Sequence, residues 1–98
     1  MSHRGSLLCL PSGIYGWDMT LEDALTPAHF QKVLEEAAEI EVLLVGTGMD
    51  LRPLPSELKA ALRAKQISSD AMSTGAAVRT FNIMLSESRA VAAALIAV

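Results

Sequence analysis

Residues 41–48, with the sequence EVLLVGTG, constrain the fold more than any other part of the chain. The four consecutive apolar residues at 42–45 show no polar alternation, which is typical of a strand covered on both faces, and they are too few for an ordinary helix. Amphipathic segments stand on either side of this run, at 27–40 and 55–66. The order helix, buried strand, helix predicts an α/β domain with one layer above the sheet and one below it.

The length and composition describe a single globular domain. The chain has 98 residues, of which 51% are hydrophobic and 19% charged, so it is expected to fold around one core. Its net charge is −3 and its eight Lys and Arg are scattered, so nucleic-acid binding is not expected. One cysteine, Cys9, cannot form an internal disulfide, and with the isolated His3 and His29 it cannot build a usual zinc site. We therefore predict no metal and no cofactor.

No segment of the chain has the pattern of a targeting signal or a membrane span. The apolar run at 7–10 is too short for the core of a signal peptide. The apolar region at 81–98 is interrupted by the residues SESR at 86–89, which leaves fewer than the roughly 18 apolar residues that a span needs. We therefore expect a reducing compartment, the cytoplasm if the protein is bacterial and the mitochondrion if it is eukaryotic.

The first third of the chain predicts a strand, a loop and a helix. Residues 6–10 predict a strand in which Cys9 is a small core residue. A turn at 11–13 follows, and because its proline cannot donate to a strand ladder, the strand is expected near a sheet edge. Residues 15–17 are expected in a loop, either as a lid on the core or as a binding surface. A helix is predicted to begin at Thr26 and Pro27. Its apolar stripe consists of Phe30, Val33, Leu34, Ala37 and Ile40.

The second half of the chain predicts a helix, an edge strand, a longer helix and a last strand. Residues 67–72 suit a sheet edge, because Asp70 is disfavoured inside sheets. Ser73 or Thr74 is expected to cap a helix over 75–88. That helix is expected to turn Ala77, Phe81, Met84 and Leu85 toward the core. Residues 90–98 are ambiguous in propensity, but a helix about 20 Å long returns the chain to the starting end of the sheet, so a parallel strand follows naturally.

Four segments, taken together and in order, carry a resemblance to one family. They are RGSLL at 4–8 with LPSG at 10–13, LLVGTG at 43–48, TGAAVRTFN at 74–82, and RAVAAALI at 89–96. The chain resembles the small α/β family called domain of unknown function 498, which includes the mitochondrial complex I assembly factor 3. The resemblance covers essentially the whole chain. It implies a three-layer domain with a central mixed, largely parallel sheet and helices on both faces, and it supports a strand at the C-terminal end.

The resemblance also bears on the start of the chain. Members of the family usually carry further residues that form strands before the Gly-Ser motif, which is found here at 5–6. Residues 1–98 are therefore expected to form one α/β domain that lacks those strands, with the native start upstream. The strand at 6–10 would then present an open edge, and a longer chain would be more stable and less prone to self-association.

Two glycine turns form the candidate site. The first turn, at 46–48, ends the buried strand, and the second, at 73–75, opens a helix. Both are therefore expected at the carboxyl edge of the sheet, which is where open α/β sheets bind ligands. Free N–H groups and threonine hydroxyls could hold an anion there. Alternatively, the glycines only permit tight turns and Thr74 is only a cap. The candidate residues for binding a ligand or partner are Gly46, Thr47, Gly48, Asp50, Thr74, Gly75, Arg79 and Asn82.

Two functions from different classes follow. Asp50 has no positioned histidine, cysteine or lysine beside it in sequence, and Gly-Thr-Gly is neither a dinucleotide fingerprint nor a Walker loop, so no catalytic residue is assigned. The resemblance implies a non-catalytic, assembly-factor-like protein with a protein partner, in a respiratory or other membrane-associated complex. The alternative is a small-molecule or anion binder, or an enzyme, that uses the carboxyl-edge turns. Either would be a monomer or a weak homo-oligomer.

Overall fold

The computed structural model describes residues 5–17, 25–49 and 52–97. The strands are β1 Ser6–Leu10, β2 Gly13–Trp17, β3 Val42–Gly46, β4 Ser68–Met72 and β5 Val91–Leu95. The α-helices are α1 Gln31–Glu35, α2 Ser56–Ala64 and α3 Thr74–Ser86, and short 3-10 helices at Pro27–Phe30 and Ala37–Glu39 flank α1. Among these residues no helix is both long and apolar enough to cross a membrane.

The five described strands form one mixed sheet in the order β2-β1-β5-β3-β4. β3 is parallel to β4 and to β5, whereas β1 is antiparallel to both β2 and β5. Four of these strands therefore run in one direction and β1 runs against them. The α/β fold with a central mixed, largely parallel sheet is confirmed.

β3 is the buried strand that organises the sheet. Its alternating side chains enter two separate cores: Leu43 and Val45 pack in the cluster that contains Phe30 of the first 3-10 helix and Leu58 of α2, and Leu44 packs in the cluster under α3. Each fully buried aliphatic side chain stabilises the fold by about 1.5–3 kcal/mol. The prediction of helices on both faces is confirmed, because a strand with no polar alternation has no face to give to water.

β5 is a strand although its alanines favour helix. Ala92, Ala93 and Ala94 are completely buried, and the strand pairs with β1 on one side and β3 on the other. Because alanine side chains are short, α3 can pack closely over this part of the sheet. The prediction of a final parallel strand is confirmed, and Ser73 caps α3 by accepting a hydrogen bond at Oγ from the Ala76 N–H at 3.4 Å.

The expectation of a loop at 15–17 is wrong, because Gly13–Trp17 is strand β2. Residues 11 and 12 are the two-residue connection of a hairpin in which Leu10 pairs with Gly13. The Trp17 ring packs edge-on to Phe30 with centroids 5.1 Å apart, and its Nε1 donates to the His29 carbonyl at 2.8 Å. These contacts fix the far end of β2 against the core, so Trp17 acts as the lid.

The expectation of an open edge at 6–10 is also wrong. β1 is paired with β2 on one side and with β5 on the other, so the open edges of the described sheet are β2 and β4. Cys9 is buried on this strand, as predicted. Burial raises the pKa of its thiol, because the ionised form would lose its hydration.

The two predicted helices at 27–40 and 75–88 differ from expectation in detail. The first is broken into three short pieces, because Phe30 and Glu36 have ψ angles of 17° and 18°, away from the helical value. The predicted apolar stripe nevertheless faces the core, since Phe30 and Val33 are fully buried and Ile40 nearly so. In α3, Leu85 is 53% exposed rather than in the core. A turn of 3.6 residues places it about 100° beyond Met84, on the flank of the helix.

Candidate functional site

The structure brings the two glycine turns into direct contact. We call them the carboxyl-edge turns: residues 46–48, where β3 ends, and residues 73–75 at the start of α3. The Thr47 N–H donates to the Met72 carbonyl at 2.8 Å, and the Thr74 N–H donates to the Gly48 carbonyl at 2.7 Å. The ends of neighbouring parallel strands therefore meet where the strand pattern predicts.

Gly46 is required by the closeness of the two turns. A Cβ at this position would lie 2.9 Å from the Thr74 Cα and 3.2 Å from the Leu95 Cδ2. The first neighbour is backbone and cannot move without shifting the start of α3. The absence of a side chain at Gly46 thus lets α3 begin directly against the end of β3.

The Thr74 hydroxyl is fully engaged within the fold. Its Oγ1 donates to the Ile96 carbonyl at 2.7 Å and accepts from the Gly48 N–H at 2.9 Å. One side chain therefore joins the start of α3, the turn after β3 and the end of β5. A bound anion could accept from this hydroxyl only if the bond to Ile96 were broken.

The Thr47 hydroxyl is engaged in the same way. Thr47 is 1% exposed; its Oγ1 donates to the Met72 carbonyl at 3.1 Å and accepts from the Arg52 N–H at 3.0 Å. These two bonds tie the end of β4 and the segment before α2 to the turn. The arrangement accounts for the threonine on structural grounds, since buried hydroxyls need partners.

Among the other predicted site residues, Gly75 belongs to the second turn, whereas Arg79 and Asn82 lie farther along α3. Gly75 is exposed with nothing within 4 Å of where its Cβ would be. Arg79 and Asn82 are exposed on α3, beyond its first turn, and neither side chain forms a hydrogen bond or ion pair in the described part of the chain. Asp50 lies outside the described residues. The structure therefore brings together Gly46, Thr47, Gly48, Thr74 and Gly75, and leaves Arg79 and Asn82 on the helix surface.

A second polar region was not predicted from the sequence. Between α2 and β4 there is a cavity of about 410 Å³, which we call the α2–β4 groove. It is lined by Lys59, Arg63, Gln66, Ile67, Ser68 and Ser69. The signal available in the sequence was the pair of cations four residues apart on the helix predicted at 55–66.

A small polar network lies between the β1–β2 hairpin and α1. Ser12 Oγ donates to Glu36 Oε2 at 2.6 Å and lies 2.6 Å from the Tyr15 hydroxyl, while Lys32 Nζ stands 4.3 Å from the centroid of the Tyr15 ring. These contacts join the β1–β2 hairpin to α1. Within the described ranges no three His, Cys, Asp or Glu residues are grouped so as to hold a metal ion.

Comparison with known families and proteins agrees with the four sequence motifs. The profile of the family described as Protein of unknown function (DUF498/DUF598) matches residues 1–96. An uncharacterised protein of Rhodobacter capsulatus is 35% identical over 98 residues, which cover 96% of this chain and 70% of that protein. The human NADH dehydrogenase (ubiquinone) 1 alpha subcomplex assembly factor 3 is 30% identical over 92 residues, 94% of this chain and 50% of that protein.

Solved structures share the fold. A crystal structure described as an outer membrane protein from Bartonella henselae is 60% identical, with a TM-score of 0.93 over 99% of this chain and 81% of that chain. An NMR structure of a Rhodopseudomonas palustris protein is 49% identical, with a TM-score of 0.90 over 100% of this chain and 73% of that chain. The resemblance drawn from the motifs is confirmed, while the chain spans about half the length of the human assembly factor.

Proposed function

The chain belongs to the DUF498/DUF598 family of proteins of unknown function, and from that premise we propose that it is a non-catalytic protein that binds other proteins. We further propose that it assists the assembly of a membrane-associated complex, as the assembly factor 3 relatives do for NADH dehydrogenase according to their names. The proposed compartment is the cytoplasm in a bacterium or the mitochondrion in a eukaryote.

The similarity to the assembly factor is the observation that carries this proposal. It extends over 94% of the chain, so it includes both cores and both polar regions of the fold. The bonding of the carboxyl-edge turns gives further support, because the hydroxyls of Thr47 and Thr74 are bonded to backbone groups of the chain itself. A protein whose best-placed polar groups serve its own fold is better suited to presenting a surface than to chemistry.

A deletion experiment tests the proposal. In the source organism, removal of the gene is expected to lower the amount of assembled NADH dehydrogenase on native gels, and the full-length protein is expected to restore it. Affinity purification with chemical crosslinking should recover subunits of that complex or of an assembly intermediate. Normal assembly in the deletion strain, at the growth conditions where the complex is needed, would contradict the proposal.

The anion-binding alternative has weaker support. It would need the first turn of α3 to offer free donors, yet Thr74 N–H, Ala76 N–H and Ala77 N–H already donate to acceptors within the chain. The matching test is thermal stability in the presence of phosphate-bearing and carboxylate-bearing metabolites. If a metabolite stabilises the protein, and Thr74→Ala abolishes that stabilisation while Asn82→Ala preserves it, the result would favour this alternative over the protein-binding role.

A further inference from the structure

We propose that the α2–β4 groove receives an extended acidic segment of a partner protein, which adds to β4 as a further strand of the sheet. The inference rests on the proposed protein-binding function and names the surface and the chemistry of the partner. Three observations carry it: the outward backbone groups of β4, which pair with no strand of the described sheet; two cations on α2 without a partner among the described residues; and the spacing between those cations.

β4 is an open edge of the described sheet. Its Ser68 N–H donates to the Glu41 carbonyl at 3.0 Å, and its Met72 carbonyl accepts from Thr47 at 2.8 Å, so residues 68, 70 and 72 turn their backbone groups toward β3. In an extended strand the N–H and C=O of alternate residues point in opposite directions. Ser69 and Ala71 therefore point their backbone donors and acceptors away from the sheet, where a further strand can pair with them.

Lys59 and Arg63 stand beside this edge on α2. Both side chains are exposed, and in the described part of the chain neither forms a hydrogen bond or an ion pair. They line the groove together with Ser68 and Ser69. Asp70, the acidic residue of β4, shares its side of the sheet with Leu44 under α3, so it does not neutralise them.

The chemistry of the groove selects an acidic partner rather than an apolar one. The chain as a whole has a net charge of −3, yet this cavity is bordered by two cations and by the polar residues Gln66, Ser68 and Ser69. Carboxylates of an incoming segment would complement the cations, and arginine binds carboxylates in a two-pronged geometry. Placing an apolar helix here would instead bury both charges without partners.

The spacing of the cations fits a strand. Lys59 and Arg63 are four residues apart, so they are separated by about 6 Å along the axis of α2. Side chains on one face of a strand repeat every second residue, at about 6.6–6.8 Å. A segment with acidic residues at alternate positions would therefore place one carboxylate against each cation while its backbone pairs with Ser69 and Ala71.

Peptide titration of the 98-residue protein tests the surface. The probe is a fluorescent eight-residue peptide with glutamate at alternate positions and threonine or valine between them; the control peptide has lysine in place of glutamate. We expect saturable binding of the acidic peptide only, weaker at higher salt. The double variant Lys59→Glu, Arg63→Glu should weaken binding at least tenfold. The double variant Arg79→Glu, Arg89→Glu makes the same charge change elsewhere and should leave binding within about twofold.

Strand addition has its own readout. An acidic peptide with an N-methyl group on every backbone amide keeps its charge but has no N–H to donate along either edge, and it should bind at least fivefold more weakly. Amide hydrogen exchange at Ser69 and Ala71 should slow when the unmodified peptide is bound. Equal binding of the methylated peptide, or no protection at these two amides, would show plain charge attraction and overturn the proposal. Preferential binding of anionic lipid vesicles by the same cations would overturn it too.

The groove and the proposed function can fail separately. In the deletion strain, the Lys59→Glu, Arg63→Glu variant is expected to restore assembly poorly, whereas the Arg79→Glu, Arg89→Glu variant should restore it. Full restoration by the groove variant, in a strain where deletion itself blocks assembly, would overturn the groove and leave the proposed function standing. If deletion has no effect on assembly but the acidic peptide binds tightly, the proposed function is overturned and the groove stands as a peptide-binding surface.

Discussion

The carboxyl-edge turns and the α2–β4 groove lie near opposite ends of β4, and they differ in what their polar groups already bind. In the turns, the hydroxyls of Thr47 and Thr74 each donate to a carbonyl and accept from an N–H of the same chain. In the groove, Lys59 and Arg63 border a cavity without a partner in the described chain. Position at a favoured edge of a sheet does not make a binding site when the hydroxyls there are already bonded within the fold.

The largest expected effect is on stability, at Gly46. Gly46→Ala places a Cβ 2.9 Å from the Thr74 Cα, and it should lower the free energy of unfolding by about 3 kcal/mol, at the upper end of overpacking costs. Urea denaturation measures the change.

Gly75→Ala is the matched control, because nothing lies within 4 Å of that Cβ and alanine favours a helix by up to about 1 kcal/mol. If both alanine variants unfold at the same urea concentration, the turns are not as closely packed as described.

The next effect concerns the Thr74 hydroxyl. Thr74→Val keeps the shape of the side chain but leaves the Gly48 N–H and the Ile96 carbonyl without their partner, which should cost about 1–3 kcal/mol. Thr74→Ser retains the hydroxyl and should cost less than half as much in the same denaturation assay. Equal losses in the two variants would mean that the methyl group removed in Thr74→Ser stabilises the fold as much as the hydroxyl does, which would weaken the distinction between the turns and the groove.

A smaller effect on stability is expected from the ionisation of Cys9. Its side chain is buried, as that of Thr47 is, but the ionised thiol loses its hydration in the fold. Its pKa is raised in the fold, so the folded protein holds the thiol proton at a pH where the unfolded chain releases it. Stability from this site is complete below the unfolded pKa of about 8.5 and is lost as the pH rises through the folded value. Between pH 7 and pH 10 the melting temperature should therefore fall more steeply for the native chain than for Cys9→Ala. Parallel curves for the two proteins would contradict the prediction.

The smallest effect on stability is predicted for the groove. Because Lys59 and Arg63 are exposed and have no partner among residues 5–17, 25–49 and 52–97, Lys59→Glu with Arg63→Glu should shift the melting temperature by less than about 4 °C. Scanning calorimetry measures this shift, with Arg79→Glu, Arg89→Glu as the reference. A loss as large as that of Thr74→Val would mean that the cations serve the fold after all.

The elements that sequence reasoning located share a simple cause. The run at 42–45 could be placed because an uninterrupted apolar stretch must be covered on both faces. The last strand followed from the length of the preceding helix, which fixes where the chain returns to the sheet. Ser68–Met72 was placed at an edge because its polar side chains are tolerated only there.

β2 was missed because its glycines outweighed the strand preference of Ile14, Tyr15 and Trp17. Two of its five residues are glycines, and the pairing is fixed by contacts far away along the chain, above all Trp17 against Phe30 and the His29 carbonyl. The two-residue connection between Leu10 and Gly13 was read as the end of a strand rather than as a hairpin. That error also left β1 without its partner β2, so nothing in the predicted sheet opposed the open edge that was expected from the absence of the family's earlier strands.

For the candidate site, the meeting of the turns could be predicted but their bonding could not. Parallel strands bring their carboxyl ends together, so 46–48 and 73–75 had to be neighbours. Whether a threonine is free depends on the carbonyls of Met72 and Ile96, which lie 25 and 22 residues from their donors. The spacing of Lys59 and Arg63 was visible in the sequence, but the identity of the strand beside α2 was not.

The position of β5 has a consequence for how the chain folds as it is made. β5 lies between β1 and β3, and the Ala97 N–H donates to Ser6 Oγ across 91 residues of sequence. The hairpin of β1 with β2 and the pair of β3 with β4 cannot join until β5 has been synthesised. A ribosome-bound chain would therefore carry two unfinished pieces with exposed strand edges, a state that invites chaperone binding, and folding dominated by such distant pairings is slow.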